Sequence, residues 1–413
     1  MKVLMVSWEY PPVVIGGLGR HVHHLATELA AAGHEVVVLS RRPTGTDPST
    51  HPTTDEVCEG VRVIAAALDP HEFTFGDDMM AWVLAMGHAM TRAGLALRGW
   101  QPDVVHAHDW LVAHPAVALA QYFDVPLVST IHATEAGRHS GWISGPVSRQ
   151  VHALESWLVH DSDALITCSE SMRDEITALF GADPAPDLAP VTVIRNGIDT
   201  SGWPFAPRRA RTGPAELLFV GRLEYEKGVH DAIAALPRIR RTHPGTTLTV
   251  AGEGTQYHWL VDEARRHKVL KATRFAGHVN HAELLKLLHR VDAVVLPSHY
   301  EPFGIVALEA AAAGAPLVTS DVGGLGEAVL NGRTGLSCPP RDVAALAAAV
   351  RAVLDDPEAA QRRAVAACRR LTSDFSWQTV AAETAQVYLA AKRAERVPQA
   401  RRPVVERPLP DRG

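Results

Sequence analysis

Two glutamates, Glu301 and Glu309, stand on either side of a Pro-Phe-Gly turn in the second half of the chain. The residues before the turn form a short apolar run of strand length (293–297), and those after it strongly favour a helix, so a strand, a tight loop and a helix are predicted. The N-terminus of such a helix carries unpaired backbone N–H groups that suit a phosphate, and Gly304 lets ligand oxygens approach the backbone.

The spacing of the two carboxylates suits a ligand that extends on both sides of a phosphate. With a rise of about 1.5 Å per residue, Glu309 lies about 7 Å further along the helix than Gly304. One carboxylate can then reach a sugar while the other accepts hydrogen bonds from ribose hydroxyls. The alternative is that Glu301 is an ordinary charge at a helix N-terminus and that Glu309 is a solvated mid-helix residue.

A pair of cations, Arg222 and Lys227, follows another predicted strand at 216–221. Fixed positive charges at the carboxyl end of a strand can neutralise the charge that develops on a departing diphosphate. Solvated surface charge is the alternative. The anion-binding helix predicted in the same half of the chain favours the site.

The first half of the chain begins like a nucleotide-binding βαβ unit. An apolar strand (3–8) leads to Gly16 and Gly17, and a helix and a second strand (35–40) follow. The spacing is not G-x-G-x-x-G and no acidic residue ends the second strand, so a nicotinamide dinucleotide is disfavoured. The glycines either offer bare backbone to a phosphate or sugar, or only form a turn. Residues 41–57 are predicted to be a surface loop.

Histidines and an aspartate end two further strands of the first half. His106, His108 and Asp109 form a His-x-His-Asp pattern that could bind a metal ion, as in hydrolases. His106 could equally be a hydrogen-bonded core residue. His132 follows a later strand, where ligands bind in parallel sheets, or it is simply a hydrogen-bonded loop histidine.

Composition excludes several classes of protein. The chain has 413 residues, 46% of them hydrophobic and 21% charged, with a net charge of −6, which gives no reason to expect nucleic acid as a partner. Its four cysteines show no C-x-x-C spacing, so neither a disulfide framework nor a zinc site is indicated. No signal peptide or apolar stretch of membrane-spanning length is recognised, and we expect a cytoplasmic protein with at most peripheral membrane contact.

Length and pattern indicate two α/β domains. A chain of this length exceeds one typical core, a Pro- and Arg-rich segment near residue 200 is typical of a linker, and a new βαβ series starts after it. The predicted organisation is a first domain over 1–199, a linker over 200–213, a second domain over 214–375, a helix over 376–395 and a mobile tail over 396–413.

Together these motifs resemble those of the retaining nucleotide-sugar glycosyltransferases of the glycogen synthase type. The motifs are the block from Ser298 to Gly304 with Glu309, the Gly-Arg…Glu-Lys-Gly segment at 221–228, the Arg-Asn-Gly turn at Asn196, and the opening at 5–12. The likeness spans nearly the whole chain and is greatest to mycobacterial-type α-1,4-glucosyltransferases of glycogen and methylglucose lipopolysaccharide synthesis.

The resemblance implies the GT-B fold, in which two Rossmann-like α/β domains face each other across a cleft and the last helix returns to the first domain. It implies transfer of glucose from UDP-glucose or ADP-glucose to the 4-hydroxyl of an α-glucan, with retention of configuration and without a metal ion or other cofactor. It leaves the oligomeric state open, a homodimer included.

The resemblance also assigns roles to individual residues. Trp110 would stack on an acceptor sugar ring beside Asp109. The implied catalytic residues are Arg222, Lys227, Glu301, Asp109 and His132. The implied donor-binding residues are Gly16, Gly17, Asn196, Gly252, Val279, Phe303, Gly304, Ile305 and Glu309.

Other functions remain open at this point. The chain could be a mannosyl- or other hexosyltransferase that acts on a lipid or small-molecule acceptor. A metal-dependent hydrolase would use His106, His108 and Asp109. A catalytically silent sugar-binding protein is disfavoured because Glu301, Arg222 and Lys227 are all present, and a phosphorylase is disfavoured because no lysine signature for pyridoxal phosphate is recognised.

Overall fold

The computed structural model describes residues 1–14, 16–43, 46–67, 73, 78–181, 188–207 and 213–394. The predicted tail over 396–413, residue 395 at the end of the last predicted helix, and residues 208–212 of the predicted linker lie outside these ranges.

Apolar runs of the first half form one sheet. The strands are β1 (Lys2–Ser7), β2 (Glu35–Arg41), β3 (Thr54–Cys58), β4 (Val61–Ala66), β5 (Val104–His108), β6 (Leu127–Ile131), β7 (Ala164–Thr167) and β8 (Val191–Val193). Within the described ranges their order is β3-β4-β2-β1-β5-β6-β7-β8, and all neighbours are parallel except β3 and β4. Near-continuous apolar strands of this kind need cover on both faces.

Helices provide that cover. They are α1 (Gly17–Ala31), α2 (Met79–Leu95), α3 (Ala113–Phe123), α4 (Glu135–Arg138), α5 (Gly145–Asp161) and α6 (Glu170–Phe180). In α1 the side chains of Val22, Leu25 and Leu29 are buried, at the three- and four-residue spacing that lines one face of a helix.

The prediction of a surface loop over 41–57 was wrong at both ends, because Arg41 is the buried last residue of β2. Residues 54–57 belong to β3, an exposed strand that pairs antiparallel with β4. The turn between them is Glu59-Gly60, with φ of 51° and 79°, as a tight hairpin requires. The hydrophobic pattern could not predict β3, because an edge strand with both faces in water needs no apolar face and its sequence is polar.

The second half forms a smaller sheet with its own helices. The strands are β9 (Glu216–Val220), β10 (Thr247–Ala251), β11 (Thr273–Gly277), β12 (Ala293–Leu296), β13 (Leu317–Ser320) and β14 (Leu336–Cys338), paired in parallel in the order β11-β10-β9-β12-β13-β14. The helices are α7 (Val229–Arg240), α8 (Tyr257–Arg266), α9 (His281–Arg290), α10 (Ile305–Ala313), α11 (Gly323–Ala328), α12 (Val343–Asp355), α13 (Pro357–Asp374) and α14 (Trp377–Arg393).

The last helix, α14, packs against α1 of the first domain. Trp377 and Tyr388 are 5% and 0% exposed within the core that α1 and β1 form. The hydroxyl of Tyr388 lies 2.7 Å from Nδ1 of His106, in the middle of β5. The chain therefore crosses twice between the two sheets, once near residue 200 and once before α14.

Several direct contacts join the two domains beside the loop that precedes α10. The hydroxyl of Ser169 donates to the carbonyl oxygen of Pro302 at 2.8 Å, and Arg195 pairs with Glu327 at 3.0 Å. The hydroxyl of Tyr300 accepts from the backbone N–H of Thr134 at 3.3 Å. These contacts fix the carboxyl ends of the two sheets toward one another.

Within the described part of the chain, no helix is both long enough and apolar enough to cross a lipid bilayer. The four cysteines are free thiols, and two of them, Cys168 and Cys338, are buried.

Candidate active site

Lys227 and Glu301 meet at the carboxyl end of the second sheet. Nζ of Lys227 lies 2.9 Å from Oε2 of Glu301, and the hydroxyl of Ser298 lies 3.4 Å from the same oxygen. The two charged side chains are 16% and 19% exposed, so they are partly shielded but still reachable. The structure thus brings together two of the predicted catalytic residues that are 74 positions apart.

The loop that carries Lys227 is fastened to the loop that carries Glu301. The backbone N–H of His299 donates to the carbonyl oxygen of Glu226 at 2.7 Å. Gly228 has φ of 65°, and a Cβ there would lie 2.0 Å from the carbonyl oxygen of Pro297, so only glycine allows this approach. Close backbone packing therefore sets where Lys227 stands.

Arg222 belongs to the same loop as Lys227. Its guanidinium lies 3.4 Å from Glu226, and its side chain is 53% exposed, so the ion pair is weak and the cation stays available to an anion. Arg222 and Lys227 both lie in the segment between β9 and α7. The predicted contact between a cation and Glu301 is present for Lys227, whereas Arg222 pairs with Glu226 and its place beside Glu301 stays a prediction.

The N-terminus of α10 supplies backbone donors beside these charges. Gly304 precedes the helix with φ of 96°, and a Cβ there would meet Leu325 at 2.7 Å. Below the turn, the N–H of Gly324 donates to the carbonyl oxygen of Glu301 at 3.0 Å. The first turn of α10 has no acidic residue, so its N–H groups suit an anion.

The glycine turn of the first domain faces this helix. Gly17 begins α1, and a Cβ on it would approach the Ile305 side chain to 2.9 Å. Gly16 has open space on its side-chain face, and its N–H donates to Glu9 at 3.1 Å. The two predicted phosphate-binding turns, one from each domain, therefore lie next to each other.

Glu309 is already engaged across the domain boundary. It forms an ion pair with Arg20 of α1, its side chain is 3% exposed, and burial raises its pKa despite the nearby guanidinium. For Glu309 to bind a ribose, as the resemblance implies, its ion pair with Arg20 must first be broken.

Asp109 and His132 lie together at the carboxyl ends of β5 and β6. Oδ1 of Asp109 accepts the backbone N–H of His132 at 2.7 Å, and burial raises the pKa of this carboxyl to about 6. Asp109 has φ of 62° and ψ of 171°, an unfavourable backbone conformation of the kind that collects at functional sites. Burial, with the charge of Arg138 adding to it, lowers the pKa of His132 to about 4.

The predicted stacking role of Trp110 is wrong. Its side chain is 7% exposed and belongs to the core of the first domain, so it does not present its ring to an acceptor. Two predicted donor-binding residues are also buried. Asn196 is 4% exposed, and its side-chain oxygen lies 2.8 Å from Nδ1 of His21, so that oxygen is already engaged. Phe303 is 2% exposed and packs against Phe375, so its backbone rather than its ring is available to a ligand.

Gly252 and Val279, two further residues predicted to bind the sugar donor, lie in different surroundings. Gly252 lies where a Cβ would be 1.9 Å from the carbonyl oxygen of Gly221, so glycine is required for the strand ends to pack. Val279, expected near the nucleotide base, lines a cavity of about 320 Å³ together with Arg274, Lys286 and other residues of β10, β11 and α9.

The His-x-His-Asp metal site predicted for a hydrolase is wrong as a set. Both ring nitrogens of His106 are taken, by Tyr388 and by Thr130 at 2.7 Å each, and Asp109 is bonded to backbone N–H groups. His106 is thus the hydrogen-bonded core histidine that the sequence left as an alternative. Among the described residues, His108 instead groups with His21 and His132 as possible metal ligands.

Sequence reasoning missed the residues that hold the site in place. Nε2 of His299 lies 2.7 Å from Oδ2 of Asp231, which joins the loop before Glu301 to the first turn of α7 next to Lys227. Arg20 and His21, in the first turns of α1, were also missed. Their position directly after the glycine turn was the one signal that could have found them.

Matches to known proteins agree with this geometry. The model of Glycosyltransferase Family 4 matches residues 15–201, and the model of Glycosyl transferases group 1 matches residues 205–370. The glycogen synthase of Mycobacterium tuberculosis (strain ATCC 25618 / H37Rv) is 78% identical over 418 residues, which cover 100% of each chain. The chain belongs to the glycogen synthase family of glycosyltransferases.

Solved structures of other glycosyltransferases share the fold of this glycogen synthase family member. Sucrose-phosphate synthase from Thermosynechococcus elongatus has a TM-score of 0.79 at 24% identity, over 94% of this chain and 98% of its own. The catalytic domain of starch synthase IV from Arabidopsis thaliana, bound to ADP and acarbose, has a TM-score of 0.70 at 17% identity, over 94% and 99%. The fold is GT-B.

As a glycogen synthase family member, the chain is a nucleotide-sugar glycosyltransferase. The residues described above are of the types that such a reaction can use, because cations and helix N–H groups suit a diphosphate and carboxylates suit sugar hydroxyls. Charges that are already oriented lower the barrier because they need not reorganise as the leaving group departs.

Proposed function

We propose that this enzyme transfers glucose from UDP-glucose or ADP-glucose to the 4-hydroxyl of an α-glucan, with retention of configuration. The observation that carries the proposal is the contact between Lys227 and Glu301 at the N-terminus of α10. A cation, a carboxylate and free backbone N–H groups then surround the place where the diphosphate and its sugar meet.

Each group has a separate task in this reaction. Lys227 and Arg222 neutralise the charge that develops on the departing diphosphate, and the backbone N–H groups after Gly304 bind its oxygens. Glu301 accepts hydrogen bonds from the hydroxyls of the donor sugar. Glu309 accepts them from the ribose once Arg20 has released it.

The acceptor side of the cleft supports attack without a dedicated base. His132 has a pKa lowered to about 4, so it is neutral at pH 7 and serves as a hydrogen-bonding partner of the donor sugar. Asp109 is occupied by backbone N–H groups and positions His132. The proton of the attacking hydroxyl then passes to an oxygen of the leaving phosphate, which stays on the same face as the acceptor.

No step of this reaction needs a metal ion, because Arg222 and Lys227 supply the positive charge. A divalent cation in other transferases neutralises the same diphosphate. We therefore propose that transfer proceeds in the presence of a chelator.

The test is incubation of the purified enzyme with UDP-glucose or ADP-glucose and with a panel of acceptors: glycogen, malto-oligosaccharides, a lipid-linked sugar and small sugar phosphates. Release of the nucleoside diphosphate measures turnover, and NMR gives the anomeric configuration and the linkage. A new α-1,4 bond, formed equally well with EDTA, is the expected result. A β-linked product, or transfer of another hexose in preference to glucose, would overturn the proposal. The Glu301→Gln variant serves as the inactive control.

A further inference from the structure

Three buried histidines meet at the carboxyl end of the first sheet. His21 comes from α1, His108 ends β5 and His132 directly follows β6. Each offers a ring nitrogen, and these nitrogens all lie within 4.8 Å of one another. His21 and His108 are 4% and 0% exposed, while His132 is less deeply buried and connects the cluster to the cleft.

We propose that His21, His108 and His132 form a zinc-binding site, and that zinc bound there blocks sugar transfer by taking His132 away from the donor. The binding half of this proposal stands on the geometry of the cluster alone. The inhibitory half rests on the function proposed above for His132.

The hydrogen bonds of His21 prepare it as a ligand. Its Nδ1 lies 2.8 Å from the side-chain oxygen of Asn196, which can only accept, so Nδ1 carries the proton. Nε2 then presents a lone pair, and in the structure this buried atom has no hydrogen-bond partner. Histidines that bind metal ions typically donate their other ring N–H to an oxygen in this way.

His108 and His132 already stand at the separation that zinc requires. Nδ1 of His108 and Nε2 of His132 are 3.2 Å apart and share a hydrogen bond, so the ring that donates it must change tautomer before both nitrogens can bind zinc. With Zn–N bonds of about 2.0 to 2.1 Å, two nitrogens of a tetrahedral site are about 3.3 Å apart. The unpartnered Nε2 of His108 carries the proton of the ring when Nδ1 binds zinc. The third nitrogen, at most 4.8 Å away, needs to move by about 1.5 Å, which rotation of a side chain provides.

The type of ligand atom in the cluster favours a cation of the zinc type. Imidazole nitrogens suit Zn²⁺ rather than Mg²⁺ or Ca²⁺, which prefer oxygen. Three histidines would leave the fourth position of a tetrahedral ion for a water molecule or another ligand.

The neighbouring histidine shows that the grouping is selective. His106 has its ring centroid only 4.2 Å from that of His108, but both of its nitrogens are occupied, by Thr130 and Tyr388. It therefore offers no lone pair to a metal ion. The described residues contain one other candidate group, His230, Asp231 and His299, in which His299 and Asp231 already pair at 2.7 Å.

The first experiment measures zinc binding directly. The metal-stripped enzyme is titrated with ZnCl₂ by calorimetry, and the same titration is run on His21→Gln, His108→Gln and His88→Gln. The last is a matched control, because His88 is exposed on α2. We expect one equivalent to bind the wild type and His88→Gln alike, and the affinity to fall at least tenfold in the other two variants. Equal affinity in all four proteins would overturn the assignment. A fifth protein, His299→Gln, tests the other candidate group, and a loss of zinc affinity in that variant instead would also overturn it.

A second measurement on the wild type covers the case in which a variant does not fold. Co²⁺ bound by three histidines in a four-coordinate site absorbs strongly in the visible range, and one equivalent of ZnCl₂ should abolish the bands. Weak bands typical of six-coordinate Co²⁺ would exclude the site.

Inhibition is tested separately with initial rates at several concentrations of ZnCl₂ and of the donor. Competition between zinc and the nucleotide-sugar, reversed by EDTA, is expected. Zinc that binds without inhibiting would refute the inhibitory role alone. Failure of transfer with every donor would refute the proposed function, whereas the zinc affinity measured by calorimetry would still decide whether the three histidines bind zinc.

Discussion

The ammonium group of Lys227 lies 2.9 Å from the carboxylate of Glu301, and the two residues are carried by different loops of the second domain. Packing of Gly228 against Pro297 and the bond between His299 and Asp231 keep these loops together. The two groups to which the proposed function assigns the diphosphate and the sugar are thus oriented relative to each other by the fold itself.

Replacement of Lys227 by alanine should lower kcat by about 100- to 1000-fold, because one preorganised charge contact is worth about 3 to 4 kcal/mol in the transition state. The Lys271→Ala variant is the control, since Lys271 lies on an exposed turn between α8 and β11. Steady-state rates with saturating donor measure the effect. An unchanged kcat in Lys227→Ala would show that this lysine does not stabilise the leaving group.

Replacement of Gly304 by alanine should impair donor binding beyond its effect on stability. The residue has φ of 96°, and the new Cβ would come within 2.7 Å of the buried Leu325 side chain. The strained backbone alone costs about 1 to 2 kcal/mol. The steric conflict also displaces the first turn of α10, so we expect the KM for the donor to rise at least tenfold.

Gly332→Ala is the matched control for that experiment. Gly332 also has a left-handed backbone, with φ of 74°, but its Cβ position is open. Both variants should lose stability in urea unfolding, and only Gly304→Ala should lose donor affinity. Equal KM values in the two variants would mean that the turn before α10 does not contact the donor.

The sequence predicted the regular elements best where local pattern alone determines them. The predicted strands at 216–221 and 293–297 match β9 and β12 to within one residue, and the predicted helix over 376–395 contains α14, because apolar runs and alanine-rich periodicity are local signals. The adjacency of Lys227 and Glu301 was also foreseeable, since both follow parallel strands of one sheet and the carboxyl ends of such strands meet at one edge.

Side-chain partners could not be predicted in the same way. Whether His106 or His21 belongs to the histidine cluster depends on Tyr388 and Asn196, which are 282 and 175 residues away from them along the chain. The burial of Trp110 depends on how the segment after β5 packs into the core. Such contacts arise from tertiary packing, and no spacing in the sequence encodes them.

Replacement of Tyr300 by phenylalanine should weaken the interface between the domains. Its hydroxyl bonds the backbone N–H of Thr134 and Oε1 of Glu175, both in the first domain, at 3.3 and 3.1 Å. Loss of this buried group should cost about 1 to 3 kcal/mol, because Glu175 and the N–H lose a partner. Urea unfolding measures the change, with Tyr257→Phe as the control because the Tyr257 side chain is 42% exposed. If the two variants are equally stable, the Tyr300 hydroxyl does not hold the domains together.

Glu155 should make the enzyme less stable as the pH rises above 5. One oxygen of its carboxyl group accepts the backbone N–H of Glu135 at 2.8 Å. Burial raises the pKa of this carboxyl group to about 8. The unfolded chain releases this proton near pH 4.5, whereas the folded chain holds it, so folding binds an extra proton between these pH values. The favourable contribution is complete below about pH 4.5 and is lost as the pH rises through about 8.

The Glu155→Gln variant separates this residue from other titrating groups. Glutamine keeps an oxygen that accepts the N–H of Glu135 but carries no proton to lose, so its free energy of unfolding should fall less between pH 5 and pH 8 than that of the wild type. The two proteins should differ most at pH 8, where the variant is the more stable. Glu358→Gln, on the exposed surface of α13, should follow the wild type. Parallel pH profiles for Glu155→Gln and the wild type would show that Glu155 is ionised in the folded enzyme at pH 7.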